Sequence, residues 1–183
     1  VAPKWAGQCG DCEQWNTLVE RIEQGTSVAA RHAGIAPNAS VQVLKDVDLD
    51  ASVRFSTGSK ELDRVLGGGL VAGSVILLGG DPGIGKSTLL TQYTAKLNQH
   101  LAVLYTSGEE SVQQIAIRAQ RLGGETAQLS VMSENRLEAI LSAAQSSRCK
   151  VLVVDSIQTV YTDALESAPG GVSQIRECAA RLV

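Results

Sequence analysis

The sequence predicts an α/β domain built on a mostly parallel sheet. Three observations predict it. Short apolar runs alternate with amphipathic stretches from about residue 53 onward. A glycine-rich loop stands between one such run and a helical pattern. The composition holds 18 glycines but only 3% aromatics. Strands buried on both faces read as continuous apolar runs and need helical crossovers between them. A glycine-rich, aromatic-poor chain suits that architecture better than a β-sandwich. With 183 residues, 44% of them apolar, the chain is long enough for one ordinary domain and a small appendage.

The elements follow in order. Residues 1–25 form a short Gly/Cys/Trp segment. Residues 26–52 are rich in small and polar residues and read as a linker, with a candidate short strand at Val41 to Leu44. His32 lies in this linker and reads as a solvated residue rather than a zinc ligand. Ser59 caps a short helix through Leu66, which Gly67 to Gly69 stop. Val75 to Leu78 is a candidate buried strand. The helix after the glycine-rich loop places Leu89, Leu90, Tyr93 and Leu97 on one face. Residues 101–106 are a second buried strand. A helix runs from a Ser111 cap to a stop at Gly123 and Gly124. Residues 127–132 form a shorter strand. The next helix starts at Asn135, with Glu138 three residues on. Residues 150–155 are the third strong strand.

The net charge of −3 excludes a global basic field, so any nucleic-acid binding has to come from local patches. No signal peptide and no apolar run of about 18 residues is present, which predicts a cytoplasmic protein without membrane contact. Four cysteines are too few for a disulfide scaffold. Cys149 and Cys178 read as buried or half-buried thiols. The chain begins with Val1 and ends inside an apparent helix, so it reads as truncated at both ends.

The most specific signal is "GGDPGIGKST". Gly80, Gly85, Lys86 and Ser87 satisfy G-x-x-x-x-G-K-[ST] in full. Glycines at 80, 83 and 85 let the backbone curl so that successive N–H groups face an anion. The helix that starts near Lys86 aims its positive end at the same place. Lys86 suits the β- and γ-phosphates. The Ser87 hydroxyl suits Mg²⁺, which prefers hard oxygen ligands. Thr88 faces an α-phosphate oxygen.

Two acidic positions complete the pattern. Asp155 ends the run Val151 to Val154, and a carboxylate at the C-terminal tip of a buried parallel strand lies where such sheets bind ligands. It would hold Mg²⁺ through the ion's water shell. Ser156 and Gln158 follow and are candidates to sense the γ-phosphate. Glu109 and Glu110 follow the second buried strand. Glu109, nearer the strand tip, is the preferred group to orient or deprotonate water. Glu110 reads as a charge favoured by the helix dipole, with the catalytic role still open to it.

The segments "FSTGSKELDRVLGGGLVAGSVILLGGDPGIGKSTLL", "LYTSGEES", "VVDSIQT" and "SAPGGVSQIRECAARL" together resemble the RadA (Sms) proteins of bacterial DNA repair, a family of RecA-like ATPases. The opening "PKWAGQCGDCEQWNTLVE" resembles that family's zinc finger. The resemblance implies a RecA-like P-loop NTPase core at residues 53–183, preceded by a linker and by the second half of a four-cysteine zinc finger at residues 1–25. It implies a DNA-stimulated, helicase-like ATP hydrolase that promotes branch migration of recombination intermediates after DNA damage and stress. Its implied cofactors are ATP, Mg²⁺ and, in the intact protein, Zn²⁺. Its implied partners are single-stranded and branched DNA, the RecA recombinase, and further copies of itself in a homo-hexamer.

Carried over residue by residue, Gly80, Asp81, Pro82, Gly83, Ile84, Gly85, Lys86, Ser87 and Thr88 match the phosphate loop. Asp155 matches the Mg²⁺ aspartate and Glu109 the glutamate that primes water. Cys9 and Cys12 match one ligand pair of the zinc finger; two thiolates alone leave a metal undercoordinated. The rival reading of this pair, a redox C-x-x-C, wants a helix N-terminus that the segment lacks. The loop from Ala168 to Ser173, with Gly170, Gly171 and Arg176, matches a DNA-facing loop or is an ordinary Pro-Gly-Gly turn. The family's first C-x-x-C, its Lys-Asn-Arg-Phe-Gly motif and its Lon-like domain are absent from this sequence. Low ATP turnover is therefore expected from this stretch alone. A second reading is a KaiC-like regulatory ATPase that acts on proteins. A P-loop kinase would need a lid and an acceptor site, and a non-catalytic binding module would not depend on Glu109.

Overall fold

The computed structural model describes residues 14–15, 43–46, 53–123 and 128–183. The chain divides into two units, residues 1–41 and 42–183, and almost all described residues lie in the second. Cys9, Cys12 and His32 lie outside the described residues. Leu44 belongs to a 3₁₀ turn, Leu44–Asp46, rather than to the expected strand. The Asp46 N–H donates to the Val43 carbonyl at 2.9 Å and closes that turn. Val41 is outside the described residues.

Two short strands, β1 (Arg54–Phe55) and β2 (Leu70–Val71), pair antiparallel. Helix α1 (Lys60–Val65) lies between them in sequence, with Ser59 accepting from the Leu62 N–H as its cap. Gly67, Gly68 and Gly69 all take positive φ after it. A side chain at Gly69 would meet the Phe55 carbonyl oxygen at 2.5 Å, so glycine lets the two strands approach. Asp63 on α1 accepts from Ser56 Oγ at 2.6 Å and from the N–H and hydroxyl of Thr57 at 2.7 and 2.6 Å. These bonds, that of Ser56 first, hold the Asp63 carboxyl below the usual carboxylate range.

The main sheet has the order β4-β3-β5, with β3 spanning Val103–Ser107, β4 Ser130–Ser133 and β5 Val151–Asp155. Both pairings are parallel, as expected. Strand β4 begins at Ser130, later than expected, and Ala127 lies outside the described residues. Helices α2 (Lys86–Leu97), α3 (Val112–Leu122), α4 (Leu137–Ser146) and α5 (Val172–Leu182) complete the domain.

Register decides which side chains share a face. Leu104 pairs with Leu152 and Thr106 with Val154. Leu152 and Val154 pack against a core of Leu137, Ile140, Val160 and Cys178, so α4 and α5 cover this face. The alternate residues Val103, Tyr105, Val151, Val153 and Asp155 therefore share the opposite face. Helix α2 packs against β3 and α3, and Arg118 of α3 and Thr91 of α2 bond to each other on that side. The sheet is covered on both faces, as its continuous apolar strands require.

Four further expectations fail in detail. Val75 to Leu78 form no strand; Leu77 is 85% exposed. An apolar run becomes a strand only when a neighbour takes its N–H and C=O groups, and none of the described strands pairs with it. The buried face of α2 consists of Thr91, Thr94, Ala95 and Leu97; Leu89 is exposed and Leu90 and Tyr93 are half-buried. Thr91 and Thr94 bury without loss because their hydroxyls donate to the carbonyls of Ser87 and Leu90, one turn back. Asn135 is not the cap of α4. That position falls to Arg136, and the Leu137 N–H donates to the Tyr161 carbonyl at 2.8 Å. Glu138 does not complete a capping box, because its carboxylate accepts from Thr162 and Arg181 instead, each at 2.6 Å.

Candidate functional site

The phosphate loop folds through its own backbone. Gly83 and Gly85 take φ of 78° and 101°, a region that L side chains rarely enter. Gly80 keeps an ordinary φ; its need is space, since a Cβ there would press on Ile84 Cγ2 at 3.3 Å. Helix α2 begins at Lys86 with Gly85 at its cap and no side-chain bond to the cap, so its first N–H groups point into the loop. Lys86 Nζ donates to the carbonyls of Gly80 and Asp81, both at 2.8 Å. An ammonium has three donors, so it is held above the loop with one still to give. Asp81, Pro82 and Ile84 are exposed along the same turn, and Thr88 is exposed on the first turn of α2.

The acidic half lies at the C-terminal tips of β3 and β5, where Ser107 pairs with Asp155. Ser107 Oγ accepts from the N–H groups of Glu109 and Glu110 at 3.2 and 3.0 Å and folds the chain into a tight turn. Gly108 is obligatory in that turn, because a Cβ there would lie 2.3 Å from Thr159 Oγ1. Glu109 is exposed, and its Oε1 accepts from Ser156 Oγ at 2.6 Å. Ser156 Oγ also lies 2.9 Å from Gln158 Oε1. A hydroxyl carries one hydrogen, so the carboxylate takes it and the Gln158 amide meets Ser156 through its NH₂ end when turned over. The peptide bond between Asp155 and Ser156 is cis.

Glu110 is engaged differently. It forms an ion pair with Arg118, whose side chain is 15% exposed. Arg118 Nε donates to Thr91 Oγ1 at 3.2 Å and its Nη2 to Tyr105 Oη at 3.2 Å. Tyr105 Oη donates to Asp155 Oδ2 at 2.5 Å. Burial, then the bond to Asp155, pushes the Tyr105 hydroxyl well above its ordinary pKa, with Arg118 opposing, so it remains a donor. The two glutamates thus have different partners: Glu110 pairs with Arg118, and Glu109 accepts from Ser156, the residue after Asp155. Tyr105, Arg118 and Thr91 were not legible as site residues. One hint was present, since a tyrosine inside a buried strand has to find a partner for its hydroxyl.

Thr88, Gln114, Ile117, Arg118 and Arg121 line a cleft of about 350 Å³ beside the start of α2. The donor set of Ser87 hydroxyl and Asp155 carboxylate is made of hard oxygens and fits Mg²⁺. Asp155 keeps Oδ1 available, since Tyr105 takes Oδ2. Among the described residues no cluster of three His, Cys, Asp or Glu side chains could hold a metal by itself.

At the far end, Ala168 to Gly171 form a turn closed by the Gly171 N–H on the Ala168 carbonyl at 3.2 Å. Gly170 takes φ of 80° after Pro169, as a type II turn requires. Buried Gln174 ties the segment down: it accepts from the Thr162 N–H at 2.9 Å and donates to the Ser167 carbonyl at 2.8 Å. Arg176 is exposed on α5. Among the described residues, no helix is long and apolar enough to cross a membrane.

Comparison with known proteins adds the family. A family model for KaiC-type ATPases matches residues 55–140. The chain is 53% identical over 182 residues to the DNA repair protein RadA of Pseudomonas aeruginosa, an alignment covering 99% of this chain and 40% of that protein. The RadA proteins of Escherichia coli and Bacillus subtilis are 49% and 47% identical, over 98% and 100% of this chain and 40% and 41% of their own lengths. The chain therefore spans about 40% of the length of these relatives. Sustained at this level over nearly its whole length, the similarity makes the chain a member of the RadA family, with a RecA-like ATPase domain of KaiC type.

Proposed function

We propose that the full-length protein is a DNA-dependent ATPase of recombinational repair that drives branch migration of recombination intermediates. The observation that carries this reading is the pairing of a complete phosphate loop with an exposed carboxylate, Glu109, bonded to the residue after Asp155, in a chain 53% identical to a DNA repair protein. The loop N–H groups and the start of α2 bind the phosphates of ATP, and Lys86 gives its remaining donor to them. Ser87 and Asp155 would hold Mg²⁺, which when bound offsets the charge of the phosphate oxygens. Glu109 orients the attacking water and takes its proton. Ser156, bonded to Glu109, and Gln158, which meets Ser156, would sense the change. The cleft beside Thr88 is the candidate seat of the nucleoside half.

The same proposal assigns residues 1–25 and 26–52 to half a zinc finger and a linker, with Cys9 and Cys12 as two of four thiolate ligands in the full-length protein. Single-stranded and branched DNA, the RecA recombinase and a homo-hexameric assembly are its proposed partners, and the turn at Ala168 to Ser173 with Arg176 its proposed DNA-facing surface. ATP turnover by the full-length protein, with and without single-stranded DNA, tests it: turnover that DNA stimulates is expected, and turnover indifferent to DNA overturns the repair role. Zinc content tests the finger, with Cys9→Ser expected to release the metal. The second reading, a KaiC-like ATPase acting on proteins, is favoured by the family model at residues 55–140 and predicts that same indifference to DNA.

A further inference from the structure

The chemistry above does not explain why a tyrosine hydroxyl and an arginine are buried behind Asp155. Tyr105 is fully buried and Arg118 half-buried. Together they close a continuous chain between the two candidate metal-binding residues. The Ser87 carbonyl accepts from Thr91 Oγ1 at 2.8 Å, Thr91 Oγ1 accepts from Arg118 Nε, Arg118 Nη2 donates to Tyr105 Oη, and Tyr105 Oη donates to Asp155 Oδ2. We propose that Tyr105 and Arg118 are positioning residues that fix the Asp155 carboxylate, and tie it to the phosphate-loop helix, for metal-assisted nucleotide binding. The inference rests on the nucleotide-site reading and deepens it.

Direction is the core of the argument. A guanidinium only donates, so at Tyr105 it occupies a lone pair and leaves the single hydroxyl hydrogen for Asp155. At Thr91 it does the same, and the threonine hydrogen goes to Ser87. With its only hydrogen on Asp155, Tyr105 Oη acts as an acceptor toward Arg118. Asp155 Oδ2 is therefore turned inward, which leaves Oδ1 for a metal or its water shell. Register makes the contact possible: Tyr105 pairs with Val153, two residues before Asp155 on the same face, a diagonal within reach of a long side chain. A buried guanidinium is costly without a counter-charge, and Glu110 supplies one. Arg118 also lines the cleft beside Thr88, so a group seated there meets the side chain that sets Asp155.

The test titrates Mg²⁺ against binding of a fluorescent ATP analogue to the full-length protein, for wild type, Tyr105→Phe, Arg118→Lys and Lys86→Ala. Groups that orient a ligating side chain are worth about 10-fold in metal affinity. Tyr105→Phe keeps the buried ring and removes only the donor. It is expected to raise the Mg²⁺ concentration at half effect about 10-fold, with metal-free nucleotide binding unchanged. Arg118→Lys keeps the charge but loses the planar fork, and shifts the titration in the same direction. An unshifted Mg²⁺ titration in Tyr105→Phe overturns the proposal while leaving the nucleotide site standing. An equal loss of binding with and without Mg²⁺ overturns it as well, because that marks a packing role. Wild type that binds no nucleotide, like Lys86→Ala, overturns the site reading and this inference together.

Discussion

The two halves of the site are built by opposite means. The phosphate loop is made by consecutive residues: left-handed glycines, a helix start, and a lysine bonded to carbonyls five and six residues away. The acidic half is made by tertiary structure. Tyr105 reaches Asp155 across 50 residues of chain, and Ser156 reaches Glu109 across 47. The first half is a local conformation that any similar sequence segment would adopt. The second exists only when β3, β5, α2 and α3 are packed together. Removing a side chain from the loop should therefore abolish binding and spare the fold, whereas changes at the acidic end should alter chemistry or stability.

The largest expected effect breaks the loop. Lys86→Ala removes the ammonium held over the loop and should lower ATP turnover on the order of 100-fold or more. The circular dichroism spectrum and thermal midpoint should not move, since Lys86 bonds only to its own loop. Retained turnover would remove Lys86 from the site. Next comes the glutamate pair. Glu109→Gln should bind ATP normally and hydrolyse it about 100-fold more slowly, the scale of a general base. Glu110→Gln should lower thermal stability instead, because it leaves Arg118 half-buried without its counter-charge. Single-turnover hydrolysis and a melting curve on both variants separate the roles; the reverse assignment would follow if Glu110→Gln were the slow one.

The same contrast explains what the sequence disclosed. The loop, the short helix capped by Ser59, the Ser111 cap of α3 and the strand end at Asp155 are set by neighbours in sequence, and periodicity and cap chemistry reveal them. Tyr105 and Arg118 were hidden because each satisfies an ordinary expectation, a ring in a buried strand and a charge on a helix. Asn135 looked like a cap for the same local reason. Tertiary bonds overrode it: the backbone of Tyr161 takes the helix start, and Arg181 draws Glu138 away. The run Val75 to Leu78 shows the limit most plainly, since apolar character gives a strand its tendency but only a neighbour gives it a ladder.

Glycine substitutions sharpen the comparison at a smaller scale. Gly108→Ala would drive a methyl into Thr159, at 2.3 Å from its hydroxyl oxygen and 2.9 Å from its Cβ. Overpacking of this kind costs about 1–3 kcal/mol and should appear as a lower thermal midpoint. Gly83→Ala meets nothing, and its penalty is the φ of 78°, worth about 1–2 kcal/mol. That penalty falls on an exposed loop, so it should weaken nucleotide binding more than it lowers the melting temperature. Equal melting shifts in the two variants would erase the distinction between a glycine kept for space and one kept for backbone angle.

The smallest expected effect lies away from the nucleotide. Burial alone would raise the Glu138 carboxyl, but hydrogen bonds from Thr162 and Arg181 outweigh it and hold the pKa at about 2, against 4.5 for the free group. A carboxyl with a lowered folded pKa binds its proton less readily folded than unfolded. Its contribution to stability is thus complete above about pH 4.5 and fades as pH falls toward 2. The side chain is 36% exposed, so solvent screening keeps the gain modest. Denaturant unfolding of wild type and Glu138→Gln should differ at neutral pH and converge in acid. A gap that stays constant down to the acid limit would mean that the carboxylate does not join α4, α5 and Thr162 by charge, and that their shared apolar core alone holds that face of the sheet.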